Sequence, residues 1–254
     1  MSDQLRVRVL QWASGLDPAA NRARLAGIGP GADLVVLPEA FARDFGQAGS
    51  DVSAFAETLD GPFASEVDRV AGAASCTVVA GMFEVSGDPA RPFNTLTVGG
   101  GEGGSYRKIH LYDSFGYRES DRLSGGAVQP VVVDVAGWKV GLMTCYDLRF
   151  PELSRMLVDA GAEVLVVPAA WLPGDRKVGH WRTLLAARAI ENTCFVVGAG
   201  QPEPRYVGHS AVLGPLGDEL AAAGGAEAVL DVTLERDDLV AARRTNPSLA
   251  NRRL

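Results

Sequence analysis

The sequence predicts a mixed α/β fold in which helices cover the outer faces of β-sheets. Short apolar runs typical of buried strands alternate along the chain with segments of helical periodicity. Some neighbouring strand runs are joined by short turns, which indicates hairpins within the sheets. The chain has 254 residues, of which 47% are hydrophobic, and this is enough to bury one large core. Because we find no linker, we predict a single domain over residues 1–254.

The N-terminal half is predicted to contain five strands and two helices. Apolar or alternating runs bounded by turn residues predict strands at 5–12, 34–37, 77–83, 94–98 and 105–109. Amphipathic periodicity predicts helices at 18–28 and 62–74. The run from Gly99 to Gly104 formally matches the GxGxxG dinucleotide fingerprint, but no helix follows it. We therefore interpret this run as the tip of a hairpin.

The C-terminal half begins with a polar segment, 110–126, which we predict to be a loop over the functional site. A second hairpin is predicted at 128–135 and 138–143, and a helix follows Pro151 and ends at Gly161. The later predicted elements are a strand at 164–167, a loop at 168–179, a helix at 177–192, strands at 194–198, 206–213 and 228–232, a short helix at 234–242 and an irregular tail at 243–254.

Cys145 stands between the second hairpin and the helix that follows Pro151. A side chain at such a strand-to-helix corner projects from the sheet edge, and the backbone N–H of Tyr146 can then face a developing oxyanion. The alternative is that Cys145 is a small buried hydrophobic residue, as free cysteines usually are. Cys76 and Cys194 lie in or beside apolar strands, and we interpret both as structural.

Two other reactive side chains also lie at strand ends. Glu39 comes just after the strand at 34–37, and Lys108 lies near the end of the strand at 105–109. A thiol, a carboxylate and an ammonium group can supply the nucleophile, proton carrier and oxyanion partner that amide hydrolysis needs. With these three motifs the chain resembles the nitrilase, or carbon-nitrogen hydrolase, superfamily, whose members use a Glu-Lys-Cys triad.

The resemblance extends over nearly the whole chain. Further motifs occur in the family's order, namely Pro168-Ala169-Ala170-Trp171, Gly179-His180-Trp181, Arg188-Ala189-Ile190-Glu191-Asn192 and Gly208-His209-Ser210. The run from Cys145 to Glu152 is similar to the Nit branch, which contains ω-amidase and deaminated-glutathione amidase. The resemblance implies an α-β-β-α sandwich, a homodimer or higher homo-oligomer, and a second active-site carboxylate at Glu119. A solvated loop glutamate is the alternative for Glu119.

The predicted reaction is hydrolysis of a small carboxylate-bearing amide to an acid and ammonia. Glu39 takes the proton of Cys145 as sulfur attacks the carbonyl carbon, while Lys108 and the Tyr146 N–H hold the tetrahedral oxygen. Glu39 then protonates the departing ammonia and activates the water that cleaves the thioester. This chemistry requires no metal or organic cofactor. His110 with Asp113 is too thin a pairing to predict a metal site, and we interpret it as a hydrogen bond within the loop.

Arg149 follows the nucleophile within one turn and has two possible roles. Its planar guanidinium could clamp a substrate carboxylate, or it could form a structural ion pair with Asp147 or Glu152. Trp171 and Phe41 are predicted pocket walls. The loops at 41–51, 110–126 and 171–179 set the pocket size, so the identity of the substrate depends on how they fold.

Other functions remain open at the level of sequence. The protein could instead be another hydrolase of the superfamily that acts on an aliphatic amide, an N-carbamoyl compound or a nitrile. A Cys-His thiol hydrolase would use His110, His180 or His209 as its base, and would tolerate Glu39→Gln. A non-catalytic binding module is the third alternative, and the intact triad argues against it.

Charge and composition limit the partners and the compartment. The net charge of −7 argues against nucleic-acid and anionic-membrane partners. Arg6 and Arg8 interrupt the first apolar run, unlike a signal peptide, and no run is long enough to span a bilayer. Three cysteines without a CxxC pair suit a reducing compartment. We therefore expect a cytoplasmic protein with a small-molecule partner.

Overall fold

A computed structural model describes residues 2–253 of the chain. Its strands are β1 (Gln4–Gln11), β2 (Leu34–Val36), β3 (Thr77–Glu84), β4 (Phe93–Gly99), β5 (Gly104–Arg107), β6 (Asp113–Ser114), β7 (Tyr117–Arg118), β8 (Val132–Val135), β9 (Trp138–Leu142), β10 (Val164–Ala169), β11 (Phe195–Gly200), β12 (Ala211–Leu213), β13 (Glu219–Ala222) and β14 (Ala228–Glu235). Its α-helices are α1 (Pro18–Arg24), α2 (Pro62–Ala74), α3 (Pro151–Asp159), α4 (Lys177–Asn192), α5 (Arg236–Thr245) and α6 (Ser248–Asn251).

Twelve of these strands form two six-stranded sheets of similar design. The first sheet has the order β14-β1-β2-β3-β4-β5, and the second has the order β13-β12-β11-β10-β9-β8. In each sheet three central strands run parallel, β1-β2-β3 in the first and β9-β10-β11 in the second, and antiparallel strands flank them. The predicted hairpins β4-β5 and β8-β9 are confirmed, and the glycine-rich run is the tip of the first.

The two sheets pack face to face, and helices cover their outer faces. Apolar side chains from both sheets, such as Val7 and Val196, belong to one large buried cluster. On the outer face of the first sheet, Phe63 and Val67 of α2 pack in a second cluster. Helices α3 and α4 lie against β9 and β11 of the second sheet. The α-β-β-α sandwich that the resemblance implied is confirmed.

Helix α4 covers the predicted residues, Lys177–Asn192, and Trp181 and Leu185 are buried beneath it. Arg188 on the same face donates to Glu191 Oε1 at 2.9 Å and to the Leu148 carbonyl oxygen. This buried guanidinium therefore has a carboxylate partner. The helix predicted after Pro151 is α3, which ends at Asp159, two residues before Gly161, and Ala160 beyond its end is exposed.

The predicted secondary structure differs most from the observed structure near the C-terminus. The predicted strand at 206–213 is limited to β12, because residues 206–210 form a loop instead. Strand β13 was not predicted, and β14 continues to Glu235, where a helix was expected. The short helix predicted at 234–242 corresponds to α5, which begins two residues later and continues to Thr245, and α6 lies in the tail predicted to be irregular. Long-range pairing of β14 with β1 over Gln4–Gln11 accounts for the extra strand length.

The segment predicted as a loop over the site also contains regular structure. Strands β6 and β7 pair to form a small hairpin, and a 3₁₀ turn at Glu119–Asp121 follows. Phe115 at the hairpin tip has a positive φ and is 69% exposed. Separately, no α-helix formed by residues 2–253 is both long and apolar enough to cross a membrane.

Candidate active site

The candidate site lies where the parallel strands of both sheets end. Glu39 follows β2, Cys145 follows β9, and Ala170 follows β10. Carboxyl ends of parallel strands in one sheet share an edge, and open α/β sheets bind ligands there. Because the two sheets are stacked, groups from both can meet at one cavity.

Cys145 occupies the strand-to-helix corner that the sequence predicted. It begins a 3₁₀ turn, Cys145–Arg149, between β9 and α3, and its φ is +46°, an uncommon conformation for a residue other than glycine. Such backbone geometry costs about 1–3 kcal/mol and is held only by the surrounding contacts. The thiol is 7% exposed and borders the cavity.

Asp147 makes the hydrogen bonds that hold the turn at Cys145–Arg149 in place. One of its carboxylate oxygens accepts from the Thr144 N–H at 2.9 Å and from the Tyr106 hydroxyl at 2.7 Å. The other accepts from the His110 N–H and lies 2.7 Å from His110 Nδ1. The expected pairing of His110 with Asp113 is thus wrong, because the buried Asp147 is its partner. Asp147 anchors the turn to the neighbouring loop.

Glu39 is placed by a close approach between its loop and β3. Gly81 lies so near that a Cβ there would sit 2.4 Å from Ala40 N and 2.8 Å from Glu39 Cα. Only glycine fits under that loop. Glu39 Oε2 accepts from the Ala170 N–H at 2.7 Å, and Oε1 accepts from Asn94 Nδ2, also at 2.7 Å. The carboxylate is therefore held from both sheets.

Lys108 links Glu39 to Glu119 in a buried network. Its Nζ lies 3.0 Å from Glu39 Oε1 and 2.9 Å from Glu119 Oε2, and all three side chains are at most 3% exposed. The Tyr112 N–H donates to Glu119 Oε2 at 2.6 Å, and Asn94 Nδ2 lies 3.4 Å from Glu119 Oε1. Glu119 is therefore a buried partner of Lys108, and its interpretation as a solvated loop residue is wrong.

Burial and charge shift the titration of this network. Burial alone would lower the pKa of Lys108, but the Glu119 and Glu39 carboxylates outweigh it and raise that pKa well above its usual range. Burial raises the pKa of Glu119. Burial also raises the pKa of the Cys145 thiol well above its ordinary value, and the Glu39 carboxylate raises it further, whereas Lys108 lowers it. The resting sulfur is therefore a neutral thiol with a carboxylate nearby.

One cavity of about 150 Å³ brings the predicted groups together. Cys145, Glu39, Lys108 and Glu119 all line it, and Tyr146 follows the nucleophile along its wall. All three loops that were expected to shape the pocket contribute lining residues, for example Phe45, Tyr112 and Trp171. A fourth loop, containing Arg205 and Tyr206, also lines the cavity, although a strand was predicted to begin at Tyr206.

Arg149 forms neither of the structural ion pairs considered from the sequence. Its guanidinium carbon lies 4.9 Å from the Trp171 ring centre and 6.0 Å from the ring centres of Tyr146 and Phe115. Its Nε and Nη2 are buried and have no hydrogen-bond partner among residues 2–253. Asp147, the nearest proposed partner in sequence, is occupied by other donors.

One predicted pocket wall is wrong and the other lines the cavity. Phe41 is fully buried in the cluster beneath the first sheet, where it lies near Trp12, and it does not line the cavity. Phe45, four residues later, lines the cavity instead. Trp171 lies in the wall, where its Nε1–H donates to the Lys177 carbonyl oxygen at 3.0 Å. Hydrophobicity alone does not reveal which aromatic residue of a loop faces inward.

Sequence reasoning missed Asn94, Asp147 and Lys177. Asn94 lay inside a predicted strand, where a polar residue at a buried position could have pointed to it. Asp147 directly follows the nucleophile region, and its three-residue spacing from Thr144 matches a capping box. Lys177 starts a helix, where a cation is electrostatically unfavourable. Within residues 2–253, no cluster of three His, Cys, Asp or Glu side chains is arranged to hold a metal ion.

Comparisons with known proteins agree with this geometry. Residues 4–244 match the family model for carbon-nitrogen hydrolases. A deaminated glutathione amidase of Escherichia coli O157:H7 is 42% identical over 87% of this chain and 84% of its own. An omega-amidase of Xenopus laevis is 32% identical over 88% of this chain and 84% of its own. The crystal structure of Saccharomyces cerevisiae Nit3, a member of branch 10 of the nitrilase superfamily, superposes with a TM-score of 0.88 at 26% identity and covers 100% of this chain and 98% of its own.

Proposed function

The chain belongs to the carbon-nitrogen hydrolase family and is an amidase acting on bonds other than peptide bonds, and from this we propose that its substrate is a small carboxylate-bearing amide. The observation that carries the proposal is the buried network of Glu39, Lys108 and Glu119, which opens onto the same cavity as Cys145. The nucleophile, the proton carrier and the cation for the oxyanion are thus assembled at one place.

In the first step, Cys145 attacks the amide carbonyl carbon and Glu39 takes the thiol proton. The raised pKa of Cys145 means that the proton leaves as the S–C bond forms, so a base must be in position. Glu39 has that position, and its bonds to Asn94 and Ala170 fix its orientation. Lys108 stabilises the tetrahedral oxygen together with the Tyr146 N–H.

In the next steps, the C–N bond breaks and the thioester is hydrolysed. Protonated Glu39 gives its proton to the departing nitrogen, which leaves as ammonia or an amine. Glu39, again a carboxylate, takes a proton from water as the water attacks the thioester carbonyl. The S–C bond breaks, the sulfur of Cys145 regains the proton, and the acid product leaves. Glu119 acts as a positioning residue that holds Lys108.

Arg149 supports the proposal that the substrate carries a carboxylate. Two of its nitrogens are buried without partners, although a buried polar group without a hydrogen bond is costly. A substrate carboxylate would supply the missing acceptors in bidentate geometry. The relatives named deaminated glutathione amidase and omega-amidase support the same substrate class. Arg149 is not itself among the residues that line the cavity, but its guanidinium carbon lies 4.9 Å from the ring centre of Trp171, which is.

The test is a substrate panel read by acid and amine release. It comprises α-ketoglutaramate, α-ketosuccinamate, deaminated glutathione, aliphatic amides, N-carbamoyl amino acids and nitriles, with Cys145→Ala as the blank. We expect the carboxylate-bearing amides to have the highest kcat/KM. A response to nitriles alone would refute the proposal, and retention of activity in Glu39→Gln with loss on histidine substitution would favour a Cys-His thiol hydrolase.

Assembly and compartment are part of the same proposal. We infer a single domain over residues 1–254, a homodimer and a cytoplasmic location. The resemblance to the Nit branch supports the dimer, and the three unpaired cysteines support a reducing compartment. Light scattering coupled to size exclusion would measure the mass, and about twice 26.7 kDa is expected for the dimer.

A further inference from the structure

A buried glutamine, Gln201, holds the backbone of Glu39 without lining the cavity. Its Nε2 donates to the Glu39 carbonyl oxygen at 2.9 Å and to the Ser14 hydroxyl oxygen at 2.7 Å, and its Oε1 accepts from the Ser14 N–H at 3.1 Å. A side-chain amide has two N–H donors and one carbonyl oxygen, so all of its groups are in use. A flipped amide would bring two carbonyl oxygens together, and these partners therefore fix its orientation.

Gln201 connects the two sheets at the point where the catalytic carboxylate begins. It follows β11 of the second sheet, whereas Ser14 follows β1 and Glu39 follows β2 of the first sheet. Gln201 is 1% exposed, so water does not compete for its hydrogen bonds. The position of Glu39 relative to the second sheet, which carries Cys145, therefore depends on this amide.

The main chain of Gln201 acts on the other end of Glu39 through one peptide group. The Gln201 N–H donates to the Ala169 carbonyl oxygen at 2.8 Å. The N–H of the same peptide group belongs to Ala170, and it donates to Glu39 Oε2 at 2.7 Å. Because a peptide group is planar, a bond to its oxygen also restricts the direction of its N–H. Gln201 thus restrains both the backbone of Glu39 and a donor to its carboxylate.

The backbone next to Glu39 needs contacts of this kind. Ala40 has a φ of +53°, in the left-handed region that residues with a Cβ rarely adopt. Such a conformation persists only where surrounding contacts hold it. The carbonyl oxygen that Gln201 binds belongs to the peptide group between Glu39 and Ala40. The amide therefore acts directly on the strained part of the loop.

We propose that Gln201 is a positioning residue of the amidase, which holds the Glu39 carboxylate in reach of the Cys145 sulfur through its bond to the Glu39–Ala40 peptide. A general base works only within hydrogen-bond reach of the proton that it takes. Loss of the Gln201 amide should therefore slow bond making and leave substrate binding unchanged. This inference rests on the proposed function, because it concerns the base that the proposed reaction uses.

The first test compares two variants at equally buried glutamines, Gln201→Met and Gln11→Met. Gln11 is 0% exposed, donates to the Gly224 carbonyl oxygen and accepts from the Ser210 N–H, each at 2.7 Å. In Gln201→Met we expect kcat for α-ketoglutaramate to fall about 10- to 100-fold, with KM changed less than about threefold, because a small displacement of a reacting group has an effect of this size. In Gln11→Met kcat should change less than about threefold. Equal losses in the two variants, or full kcat in folded Gln201→Met, would refute the proposal.

The second test asks whether Gln201 acts through Glu39, and it does not depend on turnover. Burial and the Glu39 carboxylate both raise the pKa of the Cys145 thiol. If Glu39 moves away from the sulfur, that pKa falls, and iodoacetamide alkylation should reach half its plateau rate at a lower pH in Gln201→Met than in the wild type. In a Glu39→Gln background the same substitution should leave the midpoint unchanged, because the contribution of the carboxylate is already absent. Equal shifts in both backgrounds would overturn the assignment.

Two further variants separate the bond to Glu39 from the other contacts of Gln201. Ser14→Ala removes the hydroxyl acceptor, leaves the bond to Glu39 and should keep kcat within about threefold of the wild type. Gln201→Asn keeps the amide on a side chain about 1.5 Å shorter, and its kcat should lie between those of the wild type and Gln201→Met. A loss in Ser14→Ala as large as that in Gln201→Met would contradict the proposal.

The outcomes also distinguish this proposal from the proposed function. If Gln201→Met does not fold, Gln201→Asn replaces it in both tests, and wild-type kcat in that variant would refute the positioning role. If the alkylation midpoints follow the expectation but the wild type hydrolyses no amide in the panel, the proposed function fails while the control of Glu39 by Gln201 stands.

Discussion

The two ends of the cavity differ in how far the protein satisfies its own charges. At one end is the catalytic cluster, formed by Glu39, Lys108 and Glu119 beside Cys145, in which Lys108 contacts both carboxylates. At the other is the cation wall, which we define as Lys177, a lining residue, and Arg149, which lies against Trp171 but does not itself line the cavity. Neither cation has an anionic partner among residues 2–253. The residues of the catalytic cluster supply one another's charge partners, whereas the two cations of the cation wall have no anionic partner among residues 2–253.

This difference follows from what each end has to do. Groups that stabilise a transition state work best when the fold has already oriented them, so the protein supplies their hydrogen bonds itself. Groups that select a ligand gain specificity when the ligand supplies a missing partner. Variants of the cluster should therefore change kcat for every amide, whereas variants of the wall should change KM for charged amides.

The largest effect is expected for Cys145→Ala, which removes the nucleophile. Turnover should fall by about 10⁴-fold or more for charged and neutral amides alike, as expected when covalent catalysis is lost. Half-saturation by glutarate, measured by calorimetry, should stay within about twofold because the cation wall is intact. Residual turnover close to that of the wild type would refute the thioester route.

Glu39→Gln should have the next largest effect and a diagnostic pH dependence. Loss of the base should lower kcat about 10²- to 10⁴-fold. The Glu39 carboxylate raises the pKa of Cys145, so its removal should lower that pKa. The rate of iodoacetamide alkylation should therefore reach half its plateau at a lower pH in the variant than in the wild type. A midpoint that moves to higher pH would contradict the assignment.

Gly81→Ala should impair the cluster without altering any of its chemical groups. The new Cβ would collide with the loop at Ala40, and displacement of Glu39 by about 1 Å should lower kcat about 10²-fold. Gly72→Ala, in helix α2 where a Cβ meets nothing within 4 Å, is the matched control. The control should keep full activity and gain about 0.4–1 kcal/mol in unfolding free energy. Equal activity of the two variants would show that the close approach is unimportant.

Arg149→Ala tests the cation wall and should have the smallest effect of the four. We expect kcat/KM for α-ketoglutaramate to fall about 10- to 100-fold through KM, with neutral amides changed much less. The melting temperature, followed by circular dichroism, should change little, because Arg149 makes no ion pair or hydrogen bond through its two buried nitrogens. Full activity on α-ketoglutaramate in a folded variant would exclude the carboxylate clamp.

Local patterns predicted the elements that carry the site. Apolar runs placed Glu39 and Cys145 at strand ends, and helical periodicity gave α4 its full extent, Lys177–Asn192. These signals are reliable because burial of an amphipathic helix or a parallel strand imposes a short repeat on neighbouring residues. The resemblance to a family supplied the layered arrangement, which periodicity does not encode.

The sequence by itself determined which groups could perform amide chemistry and which secondary-structure ends present them. Only the tertiary structure decided their partners: Ala170 binds Glu39 from the other sheet, Phe45 lines the cavity in place of Phe41, and Lys177 joins Arg149 without an anion. The physical reason is the separation along the chain between the residues that interact. Strand and helix patterns arise from neighbours a few residues apart, whereas these contacts arise from loops brought together when two sheets pack over one core.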